Sequence, residues 1–170
     1  MDMKIFETER LTIRQVSESD KVALLKFHNE PATMKFISGK SDWSLDELND
    51  KLKHNELLYS LGFGIYCVEN KFSKEVFGEA SVFNSFDNLK QPEIGYIISE
   101  RFWNQGFGTE IVSGLVFYCA NLLKAERIIA RMYSENIYSI RLCISNGMKL
   151  YETTELQDGR IRLGYEYWCI

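Results

Sequence analysis

The sequence predicts an α+β fold, a mixed but mainly antiparallel sheet flanked by helices. Three observations carry that expectation. Short runs rich in β-branched and aromatic residues recur through the second half of the chain. Polar connections of hairpin length join several of them. One strand–helix–strand unit is centred on residues 106–123, whose apolar residues recur at helical spacing.

Taken in order, residues 10–16 alternate apolar and polar side chains, the period of a half-buried strand. Ser17 then reads as the N-cap of a helix to about residue 29, with Val22, Leu24, Leu25 and Phe27 on its apolar side. Ser44 opens a second helix with Glu47 three residues on, the capping-box spacing, and Leu45, Leu48, Leu52 and Leu57 continue its stripe. Strands are expected at 63–68 and 76–83, paired as an antiparallel hairpin through the polar segment 69–74, and a third at 93–98. In the helix at 106–123, Ile111, Leu115, Tyr118 and Leu122 form one apolar row and Val112, Val116, Cys119 and Leu123 a second, so most of it is expected to be buried. A strand at 128–132 follows, then a short helix at 137–145 stopped by Asn146-Gly147. Two closing strands, 149–155 and 160–168, meet through the turn Asp158-Gly159.

A chain of 170 residues is expected to form one domain, 1–170. With 45% hydrophobic and 26% charged residues it has enough apolar surface to fold, which excludes a disordered chain. A net charge of −4 and a pI near 5.3 argue against a nucleic-acid partner, whose protein footprint is basic. No signal-peptide pattern opens the sequence, and the longest uncharged apolar run, 111–123, is too short to span a bilayer. Cysteines at 67, 119, 143 and 169 show no CxxC pair and, with only His28 and His54, no metal-ligand spacing. Free buried thiols, no metal and a reducing cytoplasm are therefore expected. Lys51, Lys53 and Lys90 read as scattered surface charges, and neither histidine is expected to do chemistry.

The most informative segment is Arg101-Phe102-Trp103-Asn104-Gln105-Gly106-Phe107-Gly108-Thr109-Glu110, between an expected strand and an expected helix. Glycines here let a ligand approach the backbone, and the N–H groups of a helix start bind an anion such as phosphate. A plain helix-entry turn is the other reading. No P-loop string occurs. A dinucleotide fingerprint is disfavoured because Ile111 holds its third glycine position and seven residues separate Ile98 from Gly106.

Another phosphate ligand, coenzyme A, is implied by a resemblance that the following residues carry. Glu93-Ile94-Gly95-Tyr96-Ile97-Ile98 followed by 102–110 resembles motif A of the GNAT N-acetyltransferases, Arg/Gln-x-x-Gly-x-Gly/Ala, with Trp103 at its first position. That departure is similar to the ribosomal-protein N-terminal acetyltransferase branch, where aromatic-Trp-Gly-x-Gly-x-Ala-Thr-Glu is common; Asn104 and Gly108 stand where Gly and Ala are usual. Thr8-Glu9-Arg10-Leu11-Thr12-Ile13-Arg14 is similar to the branch's opening strand. Asn136-Ile137-Tyr138-Ser139-Ile140-Arg141 with Asn146-Gly147-Met148 resembles its Asn-x-x-Ser-x-Arg…Gly-Phe segment. The likeness runs in order along most of the chain, is strongest over 93–148 and nearly vanishes over 39–59.

The resemblance implies a GNAT-like fold and acetyl-CoA as cosubstrate, with the acetyl group passing directly to a primary amine of a peptide N-terminus or small molecule. Trp103, Asn104, Gln105, Gly106, Phe107, Gly108 and Thr109 would cradle the pyrophosphate, and a backbone N–H of Ile97 or Ile98 would meet the acetyl carbonyl. Asn136 would touch the pantetheine arm; as an Asn before a helix it also reads as an N-cap. Glu93 would take the amine proton, the alternative being a strand-edge ion pair. Ser139 would contact the departing sulfur, the alternative being an ordinary helix serine. Where many family members place an acidic tyrosine this chain has Cys143, read as packing.

Elementary chemistry agrees with so short a list. An alkylamine is mostly protonated at neutral pH, so a base must help. Holding donor and acceptor in one cleft can itself supply roughly 7–11 kcal/mol of the barrier. A non-catalytic acyl-CoA-binding or regulatory module of the same fold is the rival reading, but it has no reason to keep both Glu93 and Ser139. Phe36, Trp43, Trp103, Tyr165 and Trp168 are candidate walls of an acceptor pocket, although most rings of a small domain are core. The acidic balance leans towards a cationic acceptor. No nucleic-acid or membrane partner is expected, and a homodimer is left open.

Overall fold

The computed structural model describes residues 3–37 and 40–169. Gly39, where the unmatched segment 39–59 begins, lies outside them. In chain order the elements are β1 (Lys4–Glu7), β2 (Leu11–Gln15), α1 (Lys21–His28), α2 (Pro31–Met34), α3 (Leu45–Leu52), α4 (Asn55–Tyr59), β3 (Gly64–Asn70), β4 (Val76–Phe83), β5 (Glu93–Ile98), α5 (Phe107–Asn121), β6 (Arg127–Tyr133), α6 (Ile137–Ser145), β7 (Lys149–Glu155) and β8 (Ile161–Trp168). Single 3-10 turns at Glu18–Asp20 and Glu100–Phe102 lead into α1 and the glycine segment.

The strands form one eight-stranded sheet in the order β1-β2-β3-β4-β5-β6-β8-β7. Every neighbouring pair is antiparallel except β5–β6, where α5 is the crossover. The expected hairpin of β3 and β4 is present, with Tyr66 opposite Ala80. Period-two alternation sends Ile94 and Ile98 of β5 into a core shared with Ile111, Leu115 and Cys119 of α5, and Ile97 into a second core with Leu24, Phe27, Met34 and Leu48 of the first helices. Helix α5 lies close on the sheet because Gly114 faces Phe6; a Cβ there would sit 2.4 Å from that ring.

Ser44 caps α3 with the expected box, its side chain accepting from Glu47 N. Four apolar assignments are corrected, among them Leu45 at the start of α3, which is 49% exposed. Val22 is 80% exposed. The stripe that meets the sheet is Leu24, Phe27 and His28, and Val22 stands two residues, about 200°, from Leu24. Leu57 is exposed because α3 ends at Leu52 and the chain restarts as the separate α4. Leu122 is exposed because α5 stops at Asn121. Strand β1, four residues with an irregular register at its start, is an addition.

Candidate active site

The parallel ladder between β5 and β6 holds one pair, Glu93 opposite Ile129, and beyond it no residue of β5 is paired with β6. The two strands part like an open V. Ile129 N donates to Pro92 O on one side of β5, and Ser99 N donates to Phe77 O on the other. Strand alternation then turns the peptide groups of Tyr96 and Ile98 towards the opening and those of Ile97 and Ser99 towards β4. Gly78 gives independent support. A Cβ there would lie 2.5 Å from Ile97 O, so that carbonyl points at β4 and the Ile98 N–H of the same peptide points into the V. Of the two donors expected from the sequence, Ile98 is the one aimed at the opening.

A cleft of about 310 Å³ occupies this opening, walled by β5, the glycine segment, the start of α6, Thr33 of α2 and Phe36 and Ile37 just after that helix. At its floor the indole Nε1 of Trp103 donates to Ile98 O at 2.7 Å, pinning the glycine segment to the end of β5. Asn104 (φ 58°) and Gly106 (φ 81°) are both left-handed, a conformation that Asn tolerates and Gly takes freely. Gly106 is the N-cap of α5, with no side chain capping it. The N–H groups of the first helical turn, at Phe107, Gly108 and Thr109, therefore have no intrahelical partner, and these residues line the cleft. A Cβ on Gly108 would sit 2.7 Å from Leu142 Cδ1, so glycine is what lets α6 close against α5 here. Gln105 is not in the wall; its side chain donates to Arg101 O and its carbonyl accepts from Arg10 Nη1.

The turn is anchored from behind. Glu110 accepts from Thr8 Oγ1 at 2.5 Å and from Arg10 N and Nε at 2.7 Å, while the Arg10 guanidinium lies 4.3 Å over the Phe107 ring. Burial would raise the Glu110 carboxyl, but these donors hold it below the ordinary carboxylate value. Thr8-Glu9-Arg10 and Thr109-Glu110, quoted from separate motifs, are one contact.

Across the V, Asn136 caps α6, its Oδ1 accepting from Ser139 N at 3.2 Å. Ser139 Oγ is 2.8 Å from the hydroxyl of Tyr96 on β5. Tyr96 was not singled out from the sequence. Alternation puts it on the face of Ile94 and Ile98, but only the tertiary placement of α6 brings a serine to it. Cys143 is buried one turn on, its thiol pushed up to about 12 by burial, in keeping with a packing role. Asn136, Ser139 and Tyr96 all line the cleft.

Glu93 stands where the strands part, and both its oxygens are taken in a fork by Arg131 of β6, at 2.9 and 2.5 Å. Among the candidate rings, Phe36 and Trp103 line the cleft, Tyr165 is core and Trp168 is exposed. Trp43 packs 5.0 Å from His28. Lys51 is corrected from a surface charge: its Nζ lies 2.6 Å from Oε1 of buried Glu79, whose Oε2 is 2.8 Å from His28 Nε2. Burial would raise Glu79, yet Lys51 and His28 bring it down to about 2. All four cysteines are free thiols. Among the described residues no group of three or more His, Cys, Asp or Glu is placed to hold a metal ion, and no helix is long and apolar enough to cross a membrane.

An open V beside unpaired helix-start N–H groups is a cleft for an extended ligand with an anionic end. Residues 10–149 match the family described as acetyltransferase (GNAT) domain. An uncharacterized N-acetyltransferase, YoaA, of Bacillus subtilis (strain 168) is 27% identical over 146 residues, 85% of this chain and 82% of that protein. Two solved structures share the fold. RimL, a ribosomal L7/L12 alpha-N-protein acetyltransferase in complex with coenzyme A, has TM-score 0.84 at 20% identity, covering 98% of each chain. A spermidine N-acetyltransferase from Vibrio cholerae, in complex with coenzyme A and spermine, has TM-score 0.80 at 16% identity, covering 94% of this chain and 95% of that one.

Proposed function

The chain belongs to the GNAT acetyltransferase family, and from that premise we propose that it passes an acetyl group from acetyl-CoA directly to a primary amine, on a peptide N-terminus or a small molecule, as one domain in the cytoplasm. The observation that carries the reading is the parting of β5 and β6 next to the uncapped first turn of α5. The N–H groups of Phe107, Gly108 and Thr109, with the helix dipole behind them, receive the pyrophosphate. The left-handed turn at Asn104 and Gly106 lets it approach, and the pantetheine arm runs in the V beside Asn136.

At the reacting end, Ile98 N–H points where the carbonyl oxygen gains charge, a donor already oriented before reaction. Glu93 takes the amine proton. Each carboxylate oxygen has two lone-pair positions, so the Arg131 fork occupies one on each and leaves the others for the amine or an intervening water. The neutral nitrogen then bonds to the acetyl carbon and sheds its second proton to solvent, the carbon–sulfur bond breaks with its electron pair on sulfur, and Ser139 Oγ–H donates a hydrogen bond to that thiolate.

The two solved neighbours act, by their names, on a ribosomal protein and on spermidine. The cleft wall bears on that choice: its only charged side chain among the described residues is Arg141, and the Glu30 carboxylate behind Thr33 lies outside the wall, accepting from Thr33 Oγ1 and Ser99 Oγ. That composition favours an acceptor whose amine stands next to uncharged groups, a peptide N-terminus, over a polycation. Release of CoA from acetyl-CoA tests it, comparing an unblocked alanyl peptide with spermidine. Faster turnover of the peptide supports the reading, and faster turnover of spermidine overturns the acceptor assignment.

A further inference from the structure

The pair formed by Tyr96 and Ser139 asks for an account of its protons. The two hydroxyls carry one proton each. Their mutual bond at 2.8 Å uses one, and that bond is the one hydrogen bond either hydroxyl makes among the described residues. One O–H is therefore left over, on one of two residues that both line the cleft. The phenol is the more acidic group and the better donor. The contact allows either hydroxyl to donate; assigned by acidity, Tyr96 gives its proton to Ser139 Oγ and the remaining proton belongs to Ser139. A helix serine usually bonds back to the carbonyl of the preceding turn; here the tyrosine holds the hydroxyl away from that carbonyl. The serine main chain is fixed as well, because Ser139 N donates to Asn136 Oδ1. The bond also spans the V, from β5 to α6.

We propose that Tyr96 is a positioning residue for acetyl transfer: its hydroxyl holds Ser139 so that the serine O–H faces the sulfur leaving the acetyl group. A hydroxyl that already accepts one hydrogen bond donates a stronger one. No proton passes from Tyr96 to sulfur. Burial pushes the Tyr96 hydroxyl well above an ordinary tyrosine, so it stays neutral, and the thiolate takes its proton from solvent. The inference rests on the reading of Ser139 given above, and its test separates the two.

The thiol of bound CoA reports the contact without any acceptor. Its ionisation is followed by the ultraviolet absorbance of the thiolate in complexes with the wild type, Tyr96→Phe, Ser139→Ala and the double variant. Loss of a hydrogen bond to the charged form raises the thiol pKa, by about one unit for Ser139→Ala and about half a unit for Tyr96→Phe. The double variant should match Ser139→Ala, because Tyr96 acts through the serine alone. Turnover with the alanyl peptide should follow, falling about 10–100-fold for Ser139→Ala and about 3–10-fold for Tyr96→Phe, with KM for acetyl-CoA unchanged. If Ser139→Ala shifts the thiol and Tyr96→Phe does not, or if the two effects multiply, the role of Tyr96 is overturned while that of Ser139 stands. If Ser139→Ala leaves the thiol and turnover at wild-type values, both are overturned.

Discussion

Replacing Glu110 by alanine should both destabilise the fold and disable the anion site, and the structure says by how much. The carboxylate, 14% exposed, receives three hydrogen bonds, from Thr8 Oγ1, Arg10 N and Arg10 Nε. The Arg10 side chain is 35% exposed and can turn to water, so its share of the loss is small. The Arg10 N–H and the Thr8 hydroxyl are half-buried, so abandoning each costs about 1–2 kcal/mol, the lower part of the range for a buried donor. Two of them give a loss of about 2–4 kcal/mol, at 2–4 °C per kcal/mol in a chain this size a fall in Tm of roughly 4–16 °C. The tie also holds the first turn of α5 against β2, so the second effect is on ligand. Saturating CoA at about 100 times its Kd adds about 2.7 kcal/mol, and a tenfold weaker site loses about half of it. Thermal melts with and without CoA read both numbers, with Asp158→Ala, in an exposed turn pair, as the silent control. A Glu110→Ala protein that melts within about 2 °C of wild type and keeps its full CoA shift would refute the argument.

Three further outcomes are expected. Glu93→Gln should lower turnover by about 10²–10⁴-fold with CoA affinity unchanged, and near-normal turnover would leave Glu93 as the partner of Arg131 and nothing more. Asp20 and Glu79 are both held near 2, since Arg14 for the first and Lys51 with His28 for the second outweigh a burial that would raise them. Their unfolded values lie near 4, so the unfolded chain binds more protons between about pH 4.5 and 2 and stability falls as pH falls through that window, by at most about 2–3 kcal/mol per group. A melting temperature equal at pH 3 and pH 6 contradicts this, and Glu79→Gln should flatten the acid limb. Cys67, Cys119 and Cys143 are buried, with thiols raised by burial, so a thiol reagent at mild pH should label only the partly exposed Cys169 until the protein is unfolded. Rapid labelling of more than one thiol in the native state argues against the packing described.

Periodic segments were legible because local sequence decides them. The ranges 76–83, 93–98, 137–145 and 149–155 coincide with β4, β5, α6 and β7. The glycine segment was legible for a similar reason, since a left-handed turn at a helix start narrows the residues that fit it. What escaped was tertiary. Tyr96 is an ordinary strand residue until Ser139 arrives from 43 positions away. Glu93 carried two readings because nothing near it announces Arg131, and Lys51 looked like surface because its partner Glu79 sits on another element. Strand β1 escaped by brevity, four residues being too few to display a period.

The single strand pair that links β5 to β6 also bears on how the molecule opens. Strands β1–β5 on one side and β6–β8 on the other are each continuously laddered. Between them run that one ladder pair, the Glu93–Arg131 fork, the Tyr96–Ser139 bond and the packing of α5 over both. Amide exchange should therefore sort into two blocks with a fast seam at the N–H groups of Tyr96 and Ile98, and separation of the halves should precede global unfolding. A bound acyl carrier would fill that seam and give its peptide N–H groups the partners they lack. The protection it confers should be greatest at Tyr96 and Ile98, and should fade towards the outer strands β1 and β7.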